Sequence, residues 1–250
     1  MKKFHMSKAR SIFVMTVVGA VLFAVPAIAG KDVKITSAAF KYNGVRYFRG
    51  KAENVNLASY GEKKTPVGQP NYLEVEDDIG RAMLGKIKVK ISGPYDVDWS
   101  RYSKADISAG IKYLMVGGGT GSFSHESAKS AKLKLVKMSI DEGQLKKLLN
   151  DHAQKVKAYM KSEGKDARIV SEVWIAMEAQ LASDVTNGGA VTGSGGANGI
   201  TVEVSASGSS KNTSSVTIPE NTTFAYLLHK VKKWKKDTIS NMEDDQHGAF

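Results

Sequence analysis

The sequence predicts an α+β fold: a twisted, largely antiparallel sheet with long hairpins and one main amphipathic helix, about 141–163, packed on it. Three observations predict it. Short segments that alternate apolar and polar residues recur from residue 33 to residue 228. Clusters of Gly, Pro, Asn and Ser punctuate them, the chemistry that turns require. A single segment carries an unambiguous helical repeat.

Taken in order, 33–48 contains Asn43-Gly44 between alternating residues, the pair that a type I′ hairpin turn needs for its two positive φ angles. Residues 51–72 carry Gly61, Pro66, Gly68 and Pro70 with little periodicity and read as a long loop. Lys86-Ile87-Lys88-Val89-Lys90-Ile91 alternates cleanly, a half-buried strand ended by Ser92-Gly93-Pro94. Segments 111–116 and 132–140 read as two more strands, with a glycine-rich tip at 117–122 and a polar, Ser- and Lys-rich stretch between them. In the helix, Leu145, Leu148, Leu149, His152, Val156, Tyr159 and Met160 form one stripe, with Asp141 as N-cap and Gly164 as stop. Residues 168–182 fit a strand and a helix nearly equally. A connector at 187–199 holds six glycines. Strands follow at 200–206, 216–219 and 224–228.

The chain has 250 residues, a net charge of +11 and no cysteine. Disulfide scaffolds, thiolate metal sites and a Cys nucleophile are therefore excluded. The first ten residues are basic, 12–25 is apolar apart from Thr16 and Gly19, and Ala27-Ile28-Ala29 presents small residues after Pro26. This is the pattern of a bacterial signal peptide. The expected organisation is a signal peptide at 1–29, a single α+β domain at 30–236 and an acidic C-terminal tail at 237–250. The mature chain is expected in the periplasm or secreted, in part associated with a membrane.

No catalytic constellation emerges. The glycine run 117–122 has Ser122 where a dinucleotide loop needs its last glycine, and it lacks the Lys of a P-loop. Asp96-Val97-Asp98-Trp99-Ser100 begins like a calcium loop, but Arg101 stands at the glycine position and Ile107 at the terminal acid. Ser162-Glu163-Gly164-Lys165 spells S-x-x-K at a helix end, where a nucleophile is not held. His152 lies on the packed helix face and reads as a core or boundary residue, and His125, His229 and His247 have no partner at metal-ligand spacing. Glu74, Glu76, Asp77 and Asp78 read as a solvated face. The expectation is no enzyme, no cofactor and no metal.

Charge order is more informative. Lys230, Lys232, Lys233, Lys235 and Lys236 flank Trp234, and the tail beyond holds Asp237, Glu243, Asp244 and Asp245. A basic run around an interfacial Trp suits anionic membrane lipid, so these six residues are the candidate lipid-binding site. An opposed acidic tail suggests a fold-back onto the run. Nucleic acid is the other acidic partner, and export together with the lack of any reading motif argues against it. Two glycine-broken, Ser/Thr-rich stretches, 111–140 and 168–206, flank the helix. Alternating strands of this kind cross a bilayer when closed into a barrel.

Ser215-Val216-Thr217-Ile218-Pro219-Glu220-Asn221-Thr222-Thr223-Phe224-Ala225-Tyr226 resembles the last strand of the gasdermin pore-forming domain. Ile169-Val170-Ser171-Glu172-Val173-Trp174 resembles the strand before that domain's second membrane hairpin, with the glycine-rich 187–199 where the hairpin tip would be. The resemblance implies a pore former that binds acidic lipid, forms a homo-oligomer and refolds two hairpins into a barrel. Carried over, strands within 111–140 and 168–206 insert, Lys230 to Lys236 touch lipid and 237–250 is a short inhibitor. The alternative reading is a periplasmic or secreted β-rich module that binds a protein or a polysaccharide. An outer-membrane barrel, suggested by the terminal Phe250, and an exported hydrolase rank below both.

Overall fold

The structure, a computed structural model, describes residues 33–107, 110–192, 199–205 and 213–248. The expected signal peptide, the middle of the glycine-rich connector and Phe250 lie outside the described residues.

Strands β1 (Lys34–Ile35), β2 (Ala39–Tyr42) and β3 (Val45–Phe48) open the chain. Asn43 and Gly44 both have positive φ, 48° and 84°, so the expected hairpin turn is formed. A 3-10 turn (Ala52–Asn54) leads to β4 (Ser59–Lys64) and β5 (Tyr72–Asp78). The expected loop at 51–72 thus contains a 3-10 turn and a strand, with 65–71 left as loop. β4 shows no alternation because its pairing is set by the backbone on both sides. At Gly61 a Cβ would stand 1.9 Å from the Glu74 carbonyl oxygen, and only glycine permits that approach.

Next come α1 (Arg81–Leu84), β6 (Lys90–Asp96), a 3-10 turn (Trp99–Arg101), α2 (Lys104–Ile107), β7 (Lys112–Leu114) and β8 (Thr120–Ser122). The strand read at 86–91 begins its ladder only at Lys90 and runs on through Ser92-Gly93-Pro94. Lys86 and Ile87 donate their amides to Met83 and Leu84, and Lys88 donates to the Gln144 side chain, so none is left for a ladder. The alternation survives all the same: Lys86, Lys88 and Lys90 are exposed, and Ile87, Val89 and Ile91 pack on the core.

The polar stretch after Ser122 is a short helix, α3 (His125–Ser130), closed by a Ser124–Ser127 capping box. After β9 (Lys134–Ser139) the single helix expected at 141–163 is two: α4 (Glu142–Lys147) and α5 (Gln154–Ser162), with a π-helical turn (Leu148–His152) between them. Asn150 explains the break. Its side chain accepts from the Ile239 amide and donates to the Ile239 carbonyl, both at 3.0 Å, as a strand neighbour would. Ala153 then bonds back five residues to Leu148, the register slip of a π-bulge.

Residues 167–188 resolve the ambiguous segment as both elements: β10 (Ala167–Met177) and then α6 (Ala179–Gly188). β11 (Gly189–Thr192), β12 (Ile200–Ser205), β13 (Thr213–Ile218), β14 (Thr223–Lys235) and β15 (Thr238–Asp245) complete the chain.

One large sheet follows the order β1-β2-β3-β14-β10-β4-β5, with β15 beside β14, β9 beside β10, β6 beside β9 and the β7–β8 hairpin at the end of β10. Its named strand pairs are antiparallel except β10 with β7. β10 is buried along its length except at Glu172. Its odd residues Val173, Ile175 and Met177 enter a larger core shared with α4–α6, and Trp174 and Ala176 enter an aromatic core on the other side. There Phe40 and Tyr47 meet Trp174 edge-on at 5.0 Å and 5.4 Å. Arg49, 1% exposed, sits beside this core with its guanidinium 4.4 Å from the centre of the Phe224 ring. It donates to backbone carbonyls of Thr36, Asp106, Ile107 and Phe224. Burial lowers its pKa to about 10, so it remains a cation.

Candidate membrane-active surface

A second, three-stranded sheet, β11-β12-β13, stands apart from the large one. β12 and β13 pair from Ile200↔Ile218 to Ser205↔Thr213 without a shift. Directly opposed residues share a face, so the register sorts the hairpin by polarity. Ile200 and Val202 stand opposite Ile218 and Val216 on one face, and Thr201 and Glu203 opposite Thr217 and Ser215 on the other. Ile200, Val202, Val204 and Ile218 are buried, while Glu203, Ser215 and Thr217 are exposed. The cover over the apolar face is α6, whose Leu181, Ala182 and Val185 belong to the same core cluster.

The other predicted stretch, 111–140, meets this one along β9, which pairs with β10, and again where β7 reaches the end of β10. Leu114 of β7 pairs with Met177 of β10, and the Glu178 amide donates to the Leu114 carbonyl at 2.9 Å. The Glu178 carboxylate in turn accepts from the Val116 amide at 2.8 Å. The glycine run is a hairpin tip, as expected, tied by the Met115 amide to the Gly119 carbonyl. Neither stretch is an uninterrupted long hairpin, because α3 divides the first and α6 the second.

All of Lys230, Lys232, Lys233, Trp234 and Lys235 lie on β14, and Lys236 takes the left-handed turn position, φ 57°. Trp234 is half-buried against the larger core. The acidic segment does return onto the basic one, as strand β15: Glu243 reaches Lys230 at 3.0 Å and Lys232 at 2.8 Å. Hydrogen bonds from these two lysines hold the Glu243 carboxyl below its ordinary range. Asp245 fixes the far end of the strand, bonding Lys63 at 2.8 Å and Arg168. Burial alone would raise its pKa, but the two cations outweigh burial and hold it low. Beyond it the Gln246 side chain and the His247 amide both bond the Arg46 backbone.

Sequence reasoning missed a polar chain across three strands, buried at Ser171 and His229 and exposed at Asp244. Ser171 Oγ lies 2.7 Å from His229 Nδ1, and His229 Nε2 lies 3.1 Å from Asp244. The residue types are those of a hydrolytic triad, but Ser171 is 0% exposed between β10 and β14, out of reach of any substrate. Burial lowers the His229 pKa against the opposing pull of Asp244, Glu142 and Glu172. Residues 58 apart in sequence carry no local signal of this contact.

The remaining motifs have structural explanations. Asp98 caps the turn at 99–101, accepting from Ser100 and Arg101, and these bonds, that of the Ser100 side chain foremost, lower its pKa. Ser162 donates to the Tyr159 carbonyl at the end of α5. Glu74, Glu76 and Asp77 are exposed on β5, whereas Asp78 bonds Ser59 and Asn56. A cleft of about 530 Å³ beside Trp99 is rimmed by Asp96, Lys129, Lys132 and Lys134, of which Asp96 and Lys134 pair at 3.2 Å. Among the described residues no group of three or more His, Asp or Glu is placed to hold a metal ion, and no helix is long and apolar enough to cross a membrane.

Comparison with known proteins agrees with this geometry. A family model described as the gasdermin pore forming domain matches residues 88–250, a span that includes both stretches, the β11–β13 sheet and the β14–β15 hairpin. No curated protein and no solved structure matches.

Proposed function

The chain belongs to the gasdermin pore-forming family, and from that premise we propose that it is an exported, non-enzymatic protein that binds anionic membranes and oligomerises there into a pore. The observation that carries the reading is the β12–β13 hairpin, in which Ile200, Val202, Val204, Val216 and Ile218 share one face with Ser214, and Thr201, Glu203, Ser215 and Thr217 lie on the other. A strand pair within a bilayer must turn one apolar face to lipid and satisfy its backbone groups in a closed barrel. Release of α6 uncovers such a face.

Attraction to the membrane comes from the basic excess of the chain, +11 in full and +7 without residues 1–29. Lys233, Lys235 and Lys236 are exposed, and Lys230 and Lys232 join them when Glu243 withdraws. The pairing of β15 with β14 is therefore the local restraint on the lipid-binding lysines. Export rests on the pattern of residues 1–29.

Dye release from phosphatidylcholine vesicles, with and without phosphatidylserine, tests the reading. The expected result is leakage confined to the anionic vesicles, and more of it for Glu243→Gln. Binding without leakage refutes pore formation and retains only the basic surface. No binding to either vesicle refutes the membrane role.

A further inference from the structure

Helix α3 ends in a Schellman turn. The Leu133 amide bonds back to the Ala128 carbonyl at 3.1 Å, and the Lys132 amide to the Lys129 carbonyl at 3.3 Å. The left-handed position of such a turn is ordinarily filled by glycine, which has no Cβ to crowd the backbone. Here it is Lys132, φ 49°. Strain of this kind is kept where the side chain serves a site.

The turn forms one wall of the cleft of about 530 Å³ beside Trp99. That volume falls within the range of about 300–1,000 Å³ usual for small-molecule sites. The floor is apolar: Val97 and Trp99 from the segment after β6, Ala128 and Leu133 from the turn, and Ala179 from the start of α6. Trp99 has no polar group to offer a ligand, because its indole N–H is already donated to the Leu133 carbonyl at 2.7 Å. The charges around the cleft are matched with two exceptions. Asp96 pairs with Lys134 at 3.2 Å, and Asp98 accepts from Ser100 and Arg101. Glu126, the one acid of α3, pairs with Lys104 at 2.5 Å. Among the described residues no acid pairs with Lys129 or Lys132, and both line the cleft.

We propose that this cleft binds a single-chain anionic amphiphile of the fatty-acid type, its carboxylate on Lys129 and Lys132 and its chain against Trp99 and Leu133. Each half of the site excludes another class of ligand. A sugar or a polar peptide would find no unpaired side-chain donor or acceptor on the floor. An inorganic anion would leave the apolar floor in water, and a cation would meet two uncompensated lysines. A fatty-acid chain covers the floor while its head supplies the counter-charge that the fold lacks. The site is independent of the β14 lysines and of pore formation, because a soluble amphiphile fills it without a bilayer.

The test titrates sodium octanoate, 1-octanol, sodium acetate and inorganic phosphate into the full-length chain by isothermal calorimetry. Octanoate is expected to bind one per chain, at least tenfold more tightly than acetate. Lys129→Gln/Lys132→Gly is expected to weaken octanoate at least tenfold and to leave 1-octanol unchanged. Glycine suits the left-handed position, so this variant keeps the turn. Ala179→Phe fills the cleft from α6 and is expected to weaken octanoate and 1-octanol alike, again at least tenfold. With octanoate bound, hydrogen exchange is expected to slow at 97–100, at 128–134 and in the first turn of α6. Acetate or phosphate binding as tightly as octanoate overturns the proposal, since the lysines are then a surface anion patch. Octanoate binding that neither variant alters overturns it as well, as does protection confined to other parts of the chain. Both variants are also bound to phosphatidylcholine–phosphatidylserine vesicles, with no change expected. Loss of vesicle binding by the lysine variant with octanoate binding intact assigns these lysines to a bilayer and overturns the cleft.

Discussion

Replacing Asp245 by Asn removes the charge that ties the end of β15 to the body of the sheet. The wild-type carboxylate accepts from Lys63 Nζ on both oxygens, at 2.8 Å and 2.9 Å, and from Arg168 Nε. Breaking a fully buried pair from one side costs about 3–5 kcal/mol, because a cation is left without a counter-charge. Here the Lys63 and Asp245 side chains keep 18% and 14% of their exposure, and Arg168 keeps its bonds to the Lys165 and Ala167 carbonyls. Solvent and those bonds recover part of the loss, leaving about 2–3 kcal/mol. For a chain of this size each kcal/mol moves the thermal midpoint by about 2–4 °C, so the expected drop is about 4–12 °C. The sign with pH is fixed by the depressed carboxyl. Its contribution is fully present above the ordinary value of 3.8 and is lost as pH falls through the lower folded value. The wild type and Asp245→Asn should therefore differ at pH 7 and converge in strong acid. The assay is a thermal melt followed by circular dichroism across that range. A midpoint change on the order of 1 °C at pH 7 would refute the assignment of Asp245 as the anchor of β15.

The buried histidine gives a prediction of the same sign in a higher window. The folded pKa of His229 lies below its ordinary 6.5, so its contribution is present above that value and declines as pH falls; His247 adds a second such group. In urea unfolding, the wild type should lose stability between pH 7 and about 5 more steeply than His229→Gln, and equal slopes would place the loss elsewhere. Gly61→Ala should cost more than about 2 kcal/mol in the same assay, since the added methyl meets the Glu74 carbonyl 1.9 Å away and a backbone atom cannot swing aside. A near-neutral result would mean that β4 and β5 separate freely.

The legible parts of the fold were those fixed by local chemistry. Asn43-Gly44 announces its turn, 200–205 its strand and 117–122 its hairpin tip, because each depends on neighbours in sequence. The failures share a cause. The helix at 141–163 breaks because Asn150 bonds Ile239, 89 residues away. β4 escapes detection because its pairing is carried by backbone, and the 86–89 strand lacks a ladder because Gln144 takes an amide. Of the site, the basic run and the acidic segment opposite it were visible as charge order. That both are strands of one hairpin was not, since clustered lysines obscure a period of two. The Ser171–His229–Asp244 chain required the strand order itself.

Arg49 carries a consequence for how such a molecule opens. Its four acceptors are peptide carbonyls from around Thr36, from the end of α2 and from β14. A carbonyl does not titrate in the range where proteins fold, and at this depth salt screens little. Acid weakens the Asp245 anchor and the His229 contact, and salt weakens the surface pairs, but neither condition loosens this joint. Parting any one segment leaves a cation under-coordinated in an apolar setting, which favours losing all three together. The arm built from the N-terminal strands and residues 99–107 thus leaves the body in a single cooperative event or stays, and fraying from its tip is not a route to the open state.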